Sequence, residues 1–348
     1  MKKIYYITAV FATLFLVGCG DGIDLPGVNV ETDLNKIPLP DNNVNLEQVE
    51  LKPSTEPMLH EGLHTEEDFQ RIRDKKAAGE EPWVSAYQLL VESQFSQKTA
   101  DTYPTEWIKR GVSGDENYMN AARGATIAYQ QALRWKIEQD DEYAAKAVEN
   151  LNKWVQTCVG VTGNTNLSLA AGLYGYEFAI AGELLRDYGG WDRADFAAFQ
   201  NWLLKVFYPA NDDFLKRHHD TNALHYWANW CLCNIAAKMA IGIVTDRRDI
   251  YNEGIAHLQT GDTNGRLRRA IYHDYAPDYN FAQWQESGRD QGHTLMCVGL
   301  MGIICQLAWS QGDDFFAYDD NLFLRACEYA ACCNYTNETV PYTTYIWQ

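Results

Sequence analysis

The sequence predicts an all-α fold, an α/α toroid forming an incomplete barrel of helix hairpins in a single domain. Apolar residues recur with helical period from about residue 57 onward, in segments separated by short polar loops. These segments pair into hairpins about every 45–55 residues, a spacing typical of a toroid or of an open α-solenoid. Few β patterns compete, and residues 270–272 are the best short strand candidate. The 348 residues, of which 46% are hydrophobic, are enough for a large core.

The N-terminus has the pattern of a bacterial lipoprotein signal. Lys2 and Lys3 precede an apolar run over residues 4–17, and small residues then lead to Cys19. The run is too short for a typical membrane span. We therefore expect residues 1–19 to be a signal whose Cys19 becomes lipidated, with an ordinary signal or anchor as the alternative. This predicts an outer-membrane lipoprotein of a Gram-negative bacterium, in the periplasm or at the cell surface.

The next segment, residues 20–56, is predicted to be a flexible tether. It is rich in Asn, Asp, Pro and Val and has no aromatic residue and no helical period, so it cannot bury enough surface to fold alone. The toroid domain is predicted to span residues 57–348. Because the chain ends at Gln348 without a capping signal, we expect either a truncated C-terminus or an incomplete toroid.

Capping and stop signals set the helix bounds. Thr65 and Asp68 form a capping signal before the first helix, Pro82 opens the second, and Gly189 with Gly190 stops the fifth. Alanines spaced three or four residues apart on the third helix predict close packing. The predicted helices after the first are 83–97, 117–139, 142–159, 167–188, 193–206, 222–243, 247–259, 287–310 and 321–334.

Charge and cysteine content exclude several kinds of function. The net charge of −18 argues against nucleic acid as a partner and against long-range attraction of an anionic polymer. An enzyme acting on such a polymer needs a locally basic cleft, for which residues 217–219, residues 266–269 and Arg289 are candidates. The eight cysteines after Cys19 show no zinc spacing, so we expect no zinc site. No metal and no organic cofactor is expected, because carboxylate binding and proton transfer by side chains require neither. They are expected to be buried apolar side chains, with disulfides at Cys297, Cys305 or Cys327 left open.

The most informative motif is a polar stripe at the start of the helix predicted over 287–310. Glu286, Arg289, Asp290 and His293 are spaced i, i+3, i+4 and i+7, which places them on one face of a helix. The following apolar residues predict that this helix is largely buried. An acid, a guanidinium and an imidazole together can bind a carboxylate and move a proton beside it, which suits a uronic-acid polymer. The alternative is a buried ion-pair network that fixes helix packing.

A second constellation lies on the helix predicted over 222–243. Asn222, His225, Tyr226 and Asn229 share one face at helical spacing, followed by Trp230. Amide and imidazole groups among aromatic residues are costly to bury without partners. They are therefore candidates for catalysis or substrate binding, and the alternative is that Asn222 caps the helix and His225 is a core histidine.

Several motifs together resemble the alginate lyase family of polysaccharide lyases. The resemblance covers about residues 57–345 and extends to a branch that contains glucuronan and alginate lyases (polysaccharide lyase family 38). It implies an α/α toroid and β-elimination of a uronate polymer, alginate or polyglucuronate. The motifs are Leu63–Phe69, Gly79–Trp83, Ala171–Phe178, His225–Trp230, Thr245–Arg248 and Glu286–His293.

The chain departs from the family pattern at two positions. The better-known members have adjacent Asn-Asn-His before the Tyr-Trp pair, whereas here Asn222 is followed by Ala223 and Leu224. They also have a tyrosine seven residues after the arginine, where this chain has Met296. The acid is therefore expected to be Tyr342 first and Tyr279 second, unless His293 takes its place.

The roles follow from β-elimination, in which a base removes the C5 proton and donors stabilise the carboxylate. Asn222 and Arg289 are expected to bind the carboxylate, Glu286 to orient Arg289 or donate a proton, and His225 or His293 to be the base. The expected substrate-binding residues are Asn229, Tyr226, Trp230, Tyr174, Tyr176, Tyr279, Arg217 and His219. The alternatives are a glycoside hydrolase with paired carboxylates and a non-catalytic glycan-binding lipoprotein.

Overall fold

Helices make up most of the chain that the structure, a computed structural model, describes, namely residues 54–336 and 339–345. The predicted signal, the lipidated Cys19 and all but the last three residues of the predicted tether lie outside these residues. The helices are α1 (Glu66–Ala77), α2 (Trp83–Glu92), α3 (Tyr118–Glu138), α4 (Asp141–Thr157), α5 (Leu167–Leu184), α6 (Arg193–Val206), α7 (Tyr208–Arg217), α8 (Ala228–Val244), α9 (Arg248–Thr260), α10 (Leu267–Ala270), α11 (Gln291–Ser310) and α12 (Tyr318–Tyr335). The strands are β1 (Trp107–Arg110), β2 (Gly160–Gly163), β3 (Ile271–Asp274) and β4 (Ala282–Trp284).

Four helices form an inner arc. In the order α3, α5, α8 and α11 each packs against the next, and α4, α6, α7, α9 and α12 lie outside them. Asn234 in the second turn of α8 donates to the carbonyl of Ser168 in the first turn of α5. Asn229 in the first turn of α8 donates to Glu286 just before α11, so these three helices run in the same direction. Because the N-terminal end of a helix carries partial positive charge, that end of the arc favours an anionic ligand.

The inner helices pack closely because small residues lie between them. Ala121, Ala125, Ala128 and Ala132 of α3 are fully buried, which confirms the predicted alanine stripe. On α5, a Cβ added at Gly172 would lie 2.5 Å from the Sγ of Cys233 on α8. A larger residue there would force the two helices apart.

The opposite end of the arc is crossed by residues 54–64, here called the N-terminal strap. The Nε of Arg248 and the Nδ2 of Asn252, on α9, donate to the carbonyls of Glu56 and Ser54. The strap therefore includes residues 54–56, which the sequence assigned to the tether. Gln311, which follows α11, bonds to the backbone of the strap at Leu59 and Glu61.

Two predicted helix starts are wrong. The helix predicted from Asn222 begins at Ala228, because the side chain of Asn222 accepts a hydrogen bond from the N–H of Leu224 and forms a turn instead. The helix predicted from Ser287 begins at Gln291, with Asp290 as its N-cap. Gly288 has a φ of +81°, which no residue of a right-handed helix adopts.

Other predicted bounds differ by less. α2 ends at Glu92 rather than near residue 97, and α5 ends at Leu184 rather than 188. Helix α7 follows directly on α6 and was not predicted. Its Pro209 lies in the first turn, where proline is tolerated rather than helix-breaking.

Two short sheets lie among the helices. β1 pairs with β2 in parallel, and β3 pairs with β4 in antiparallel orientation, which confirms a strand at the predicted 270–272 position. Gln283 of β4 donates from its Nε2 to the carbonyl of Thr343 at 2.7 Å, so the C-terminal segment 339–345 packs against this sheet.

The cysteines and the most apolar helix belong to the core. All eight cysteines in the described part of the chain are free, and six of them are buried. Helix α11 is long and apolar enough to cross a membrane by composition, but it packs between α8 and α12. Its first turn departs from the prediction of burial, since Leu295 is 38% exposed.

Candidate active site

The candidate site is built around the turn of residues 285–290, which joins β4 to α11. Gln285 accepts a hydrogen bond from the N–H of Ala228 at 2.8 Å, so it fixes the start of α8 beside the turn. This contact brings the Nδ2 of Asn229 to 3.2 Å from the Oε2 of Glu286. The turn and the first residues of α8 therefore form one unit.

Glu286 is the buried centre of this unit. Its side chain is 1% exposed, and its Oε1 pairs with the Nη1 of Arg289. Burial raises the pKa of Glu286 to about 7, and the positive charges of His293 and Arg289 offset only part of this effect. Near neutral pH the carboxyl group can therefore either hold Arg289 or donate a proton.

Arg289 spans the boundary between this buried carboxylate and solvent. Its guanidinium lies 4.3 Å from the centroid of the Trp227 ring, and half of its side chain is exposed. Trp227 packs in turn on Tyr345, which accepts a hydrogen bond from Gln285. The planar guanidinium is thus held in place with N–H groups directed to solvent, as binding of a carboxylate requires.

Asp290 and His293 form a second pair at the start of α11. The Nδ1 of His293 lies 2.6 Å from the Oδ2 of Asp290, and the backbone N–H of His293 donates to the other oxygen at 2.9 Å. Burial opposes ionisation of Asp290, but these two hydrogen bonds hold its pKa below the usual value. When Nδ1 is the protonated nitrogen, Nε2 is left as the acceptor for a proton.

Tyr342 completes the group of side chains around the turn. A Cβ added at Gly288 would lie 2.6 Å from the Tyr342 ring, so the ring packs directly on this glycine. Tyr279 lies in the loop between β3 and β4, and among the described residues its side chain makes no hydrogen bond to the turn. Of the two tyrosines predicted as the acid, the structure brings Tyr342 to the group.

A histidine cluster lies on the other side of the α8 N-terminus. The Nε2 of His219 lies 3.0 Å from the Oγ of Ser168, and the His219 ring packs on Tyr226. His218 is buried, which lowers its pKa to about 4 and keeps it neutral. His225 is exposed and packs edge-on against Tyr226, with ring centroids 4.8 Å apart.

The prediction that Asn222, His225 and Asn229 share one helix face is wrong. Asn222 is exposed, and its Oδ1 is used by the turn that precedes α8. His225 lies in the same loop, whereas Asn229 lies on α8 and is buried against Glu286. Only Asn229 joins the candidate site.

The remaining predicted binding residues have different environments. Tyr174 and Tyr176 are buried on α5, and burial raises the pKa of Tyr176 well above its usual range. Trp230 packs on Tyr226 within the histidine cluster. Arg217 is exposed and ion-paired with Asp213 and Asp220, so its charge is already matched.

Two aromatic residues of the site were missed by the sequence reasoning. Trp227 contacts the guanidinium of Arg289 directly, and Tyr345 packs on Trp227 and so helps to position Arg289. No local pattern pointed to them, since their contacts depend on the tertiary fold.

Unsatisfied polar atoms surround the candidate site. The Oδ1 of Asn229, the Nε1 of Trp227 and the Oγ of Ser287 are buried without a hydrogen-bond partner among the described residues. Such atoms are rare in folded proteins, and a catalytic role or a bound ligand is one explanation for them. In the described part of the chain, no group of three or more His, Cys, Asp and Glu side chains could hold a metal ion.

Comparison with known proteins identifies the family. A sequence model described as "Alginate lyase" matches residues 72–338, well over half of the chain. The chain belongs to the alginate lyase family. It is therefore a polysaccharide lyase, as the sequence motifs predicted. No curated protein matches the chain in a direct sequence search.

Solved structures of alginate lyases share the fold. An alginate lyase A1-III complexed with tetrasaccharide is 13% identical with a TM-score of 0.61, over 81% of this chain and 82% of that chain. Alginate lyase A1-III from Sphingomonas species A1 is 13% identical with a TM-score of 0.55, over 80% of each chain. An alginate lyase from Bacteroides ovatus is 14% identical with a TM-score of 0.54, over 77% of this chain and 82% of that chain. These similarities confirm the predicted α/α toroid.

Proposed function

We propose that this member of the alginate lyase family cleaves alginate by β-elimination at the 285–290 turn. The observation that carries the proposal is the arrangement of Arg289 and Asn229 around the buried Glu286, next to a histidine held by Asp290. This arrangement combines donors for a carboxylate with a group that accepts a proton.

The C5 proton of a uronate becomes acidic only when the adjacent carboxylate is neutralised. In this proposal Arg289 binds that carboxylate through its exposed N–H groups, and Glu286 adds a hydrogen bond when it is protonated. Asn229 holds Glu286 in place. The negative charge that develops on the carboxylate after proton loss is stabilised by the same donors.

His293 is the proposed base. Its Nδ1 donates to Asp290, so Nε2 takes the C5 proton while the C5 electron pair forms the C4–C5 double bond. His225, the other predicted base, lies in the loop before α8 and has no comparable carboxylate partner among the described residues.

Tyr342 is the proposed acid. Its hydroxyl protonates the C4 oxygen as the C4–O4 bond breaks, which releases one chain with an intact end and one with a 4,5-unsaturated uronate. A proton then returns from His293 to Tyr342 through solvent. Both side chains are partly exposed, so water reaches them.

The helix arrangement supports an anionic substrate despite the net charge. The N-terminal ends of α5, α8 and α11 lie at this end of the inner arc. Their partial positive charges and the guanidinium of Arg289 give a locally favourable potential in a protein with a net charge of −18.

The test is ultraviolet absorbance of the unsaturated product, without added metal, on alginate, polyglucuronate, hyaluronan and pectate. The wild-type protein should give a rising signal on alginate, and His293→Ala and Tyr342→Phe should lose at least about a hundredfold in kcat. Tyr279→Phe is the matched control, because both tyrosines are 53% exposed, and it should retain activity. New reducing ends without ultraviolet absorbance would instead indicate hydrolysis. An absorbance signal on polyglucuronate alone would show that polyglucuronate, not alginate, is the substrate.

The cellular location is a separate proposal. We propose that Cys19 is lipidated and that the protein is an outer-membrane lipoprotein, on the basis of the N-terminal sequence pattern. Mass spectrometry of the membrane fraction should find a diacylated N-terminal cysteine, and Cys19→Ser should release the protein. An unmodified Cys19 in the wild type would contradict this.

A further inference from the structure

Arg110, the last residue of β1, is a buried arginine that has no carboxylate partner in the part of the chain that the structure describes. Its side chain is on the inward face of the strand with Ile108, and the residue is 7% exposed. Among the residues that the structure describes, its guanidinium has no ion pair and no hydrogen bond, and Nη1 is fully enclosed. Its contact is with the face of the Tyr118 ring, 4.7 Å from the centroid.

This arrangement is unfavourable in the free protein. A guanidinium withdrawn from water loses hydration that a single cation–π contact does not replace. Three other arginines of similar burial are each paired with a carboxylate. They are Arg134 with Glu138, Arg186 with Glu183, and Arg325 with Asp274.

Arg110 lies beside the inner helices of the arc, because β1 contacts α3 and α5. It is close enough to Cys233 on α8 to act on its pKa, which burial raises and the positive charge of Arg110 partly offsets. Asn229, which holds Glu286, lies one helical turn before Cys233. Tyr118 stacks on Tyr174 of α5 with an interplanar angle of 9°, so Arg110 is held against the neighbouring inner helix.

We propose that Arg110, held on Tyr118, binds the carboxylate of a second uronate residue of the polymer, next to the residue that reacts at Arg289. This inference rests on the proposed function. A uronate polymer carries a carboxylate on every sugar, so a chain bound at Arg289 presents further carboxylates along the cleft. The missing counter-ion of Arg110 is then supplied by the substrate, and the two arginines together select for consecutive charged sugars.

The test measures equilibrium binding of an alginate tetrasaccharide to the full-length protein in a His293→Ala background. Arg110→Gln should weaken binding by about ten- to a hundredfold, the usual effect of losing a charge-assisted hydrogen bond. Arg247→Gln is the control, because it removes the same charge from the exposed connection between α8 and α9 and should leave binding unchanged. The methyl-esterified tetrasaccharide, which has no charge, should bind equally well with and without the Arg110→Gln substitution.

Two results would overturn the inference. One is unchanged tetrasaccharide binding in Arg110→Gln. The other is a lower Tm of the free variant with equal losses for the charged and the esterified ligand, which would indicate a structural role. We expect the Tm of the free variant to stay the same or rise, because an unpaired buried charge is removed.

Failure of the inference and failure of the proposed function give different patterns. If the wild type produces unsaturated uronate and Arg110→Gln binds normally, the binding role of Arg110 is wrong and the lyase activity stands. If the wild type produces none but uronate binding depends on Arg110, the subsite stands and elimination at the 285–290 turn is wrong.

Discussion

At the scale of single residues, the site depends on a carboxyl group kept out of water. Glu286 is enclosed between Asn229 and Arg289, and its pKa of about 7 follows from that enclosure. A glutamate at the surface would be ionised throughout the neutral range and would repel the carboxylate of the substrate. Burial therefore converts an acidic residue into one that tolerates an anion beside it.

Glu286→Gln should change how stability depends on pH. Between pH 4.5 and about 7 the unfolded wild type loses the Glu286 proton while the folded protein keeps it, so wild-type stability falls as pH rises through this window and is level above it. In the variant, position 286 does not titrate, so this fall in stability with pH is absent. Its unfolding free energy relative to wild type should therefore rise by about 3 kcal/mol from pH 4.5 to pH 7. Denaturant unfolding at several pH values tests this, and parallel profiles for the two proteins would contradict it.

Asp290→Asn should impair catalysis with little effect on folding. An asparagine at position 290 is still a good N-cap for α11. Its uncharged side chain, however, no longer offers the His293 ring a carboxylate as hydrogen-bond acceptor. We expect kcat to fall by at least about a hundredfold with a small change in KM. Asp192→Asn, which changes the N-cap of α6 in the same way, is the control for capping alone. If the two variants had equal effects on kcat, the pairing of Asp290 with His293 would have no part in catalysis.

At the scale of elements, the sequence predicted which residues of the turn meet but not the structure that brings them together. Glu286, Arg289, Asp290 and His293 were predicted on one helix face, and they do lie together. They meet because a tight turn also brings residues i and i+3 close. Gly288 inside the stripe was the available signal for a turn, since glycine is unfavourable in the interior of a helix.

Gly288→Ala should disturb the turn for two reasons, backbone strain and a steric clash. The left-handed backbone at φ +81° costs a non-glycine residue about 1–2 kcal/mol, and the new Cβ would meet the Tyr342 ring. Gly114→Ala is the matched control, because Gly114 has a φ of +77° with nothing within 4 Å of an added Cβ. Both variants should lose similar stability in thermal unfolding, and only Gly288→Ala should also lose kcat. Full activity of Gly288→Ala would show that the position of Tyr342 is unimportant.

The part of the site that sequence did not predict comes from distant segments. Trp227 and Tyr345 reach the site through tertiary contacts over long sequence separation, which no local pattern encodes. The prediction that Asn222 begins a helix was wrong for a local reason. Asparagine favours both helix caps and turns, and the sequence does not distinguish the two. The helices themselves were predicted well, since amphipathic spacing acts over many residues.

At the scale of the whole molecule, the two ends of the inner arc have different roles. The N-terminal ends of α5, α8 and α11 lie at the same end of the arc as the candidate site, and the C-terminal end of α11 is bonded to the strap of residues 54–64. Changes at the strap should therefore affect stability and leave the chemistry intact.

Gln311→Ala should separate these roles. Its side chain makes three hydrogen bonds to the strap at 2.7–3.0 Å, and their loss should lower the unfolding free energy by about 1–3 kcal/mol. Gln306→Ala, on the same helix α11, is the control and should have a smaller effect. Both variants should keep wild-type kcat at low temperature, and a loss of kcat in Gln311→Ala would show that the two ends are coupled.

The meeting of three helix N-terminal ends inside a protein of charge −18 has a consequence for kinetics. The repulsion between the protein and the polymer acts over long distances, whereas the attraction of the helix ends acts only within the cleft. Raising ionic strength from about 0.01 to 0.15 M shortens the Debye length from about 30 to 8 Å, so it removes more of the repulsion than of the attraction. Encounter with long alginate chains should therefore become faster as salt is added, so the protein would be better suited to saline surroundings than to dilute ones.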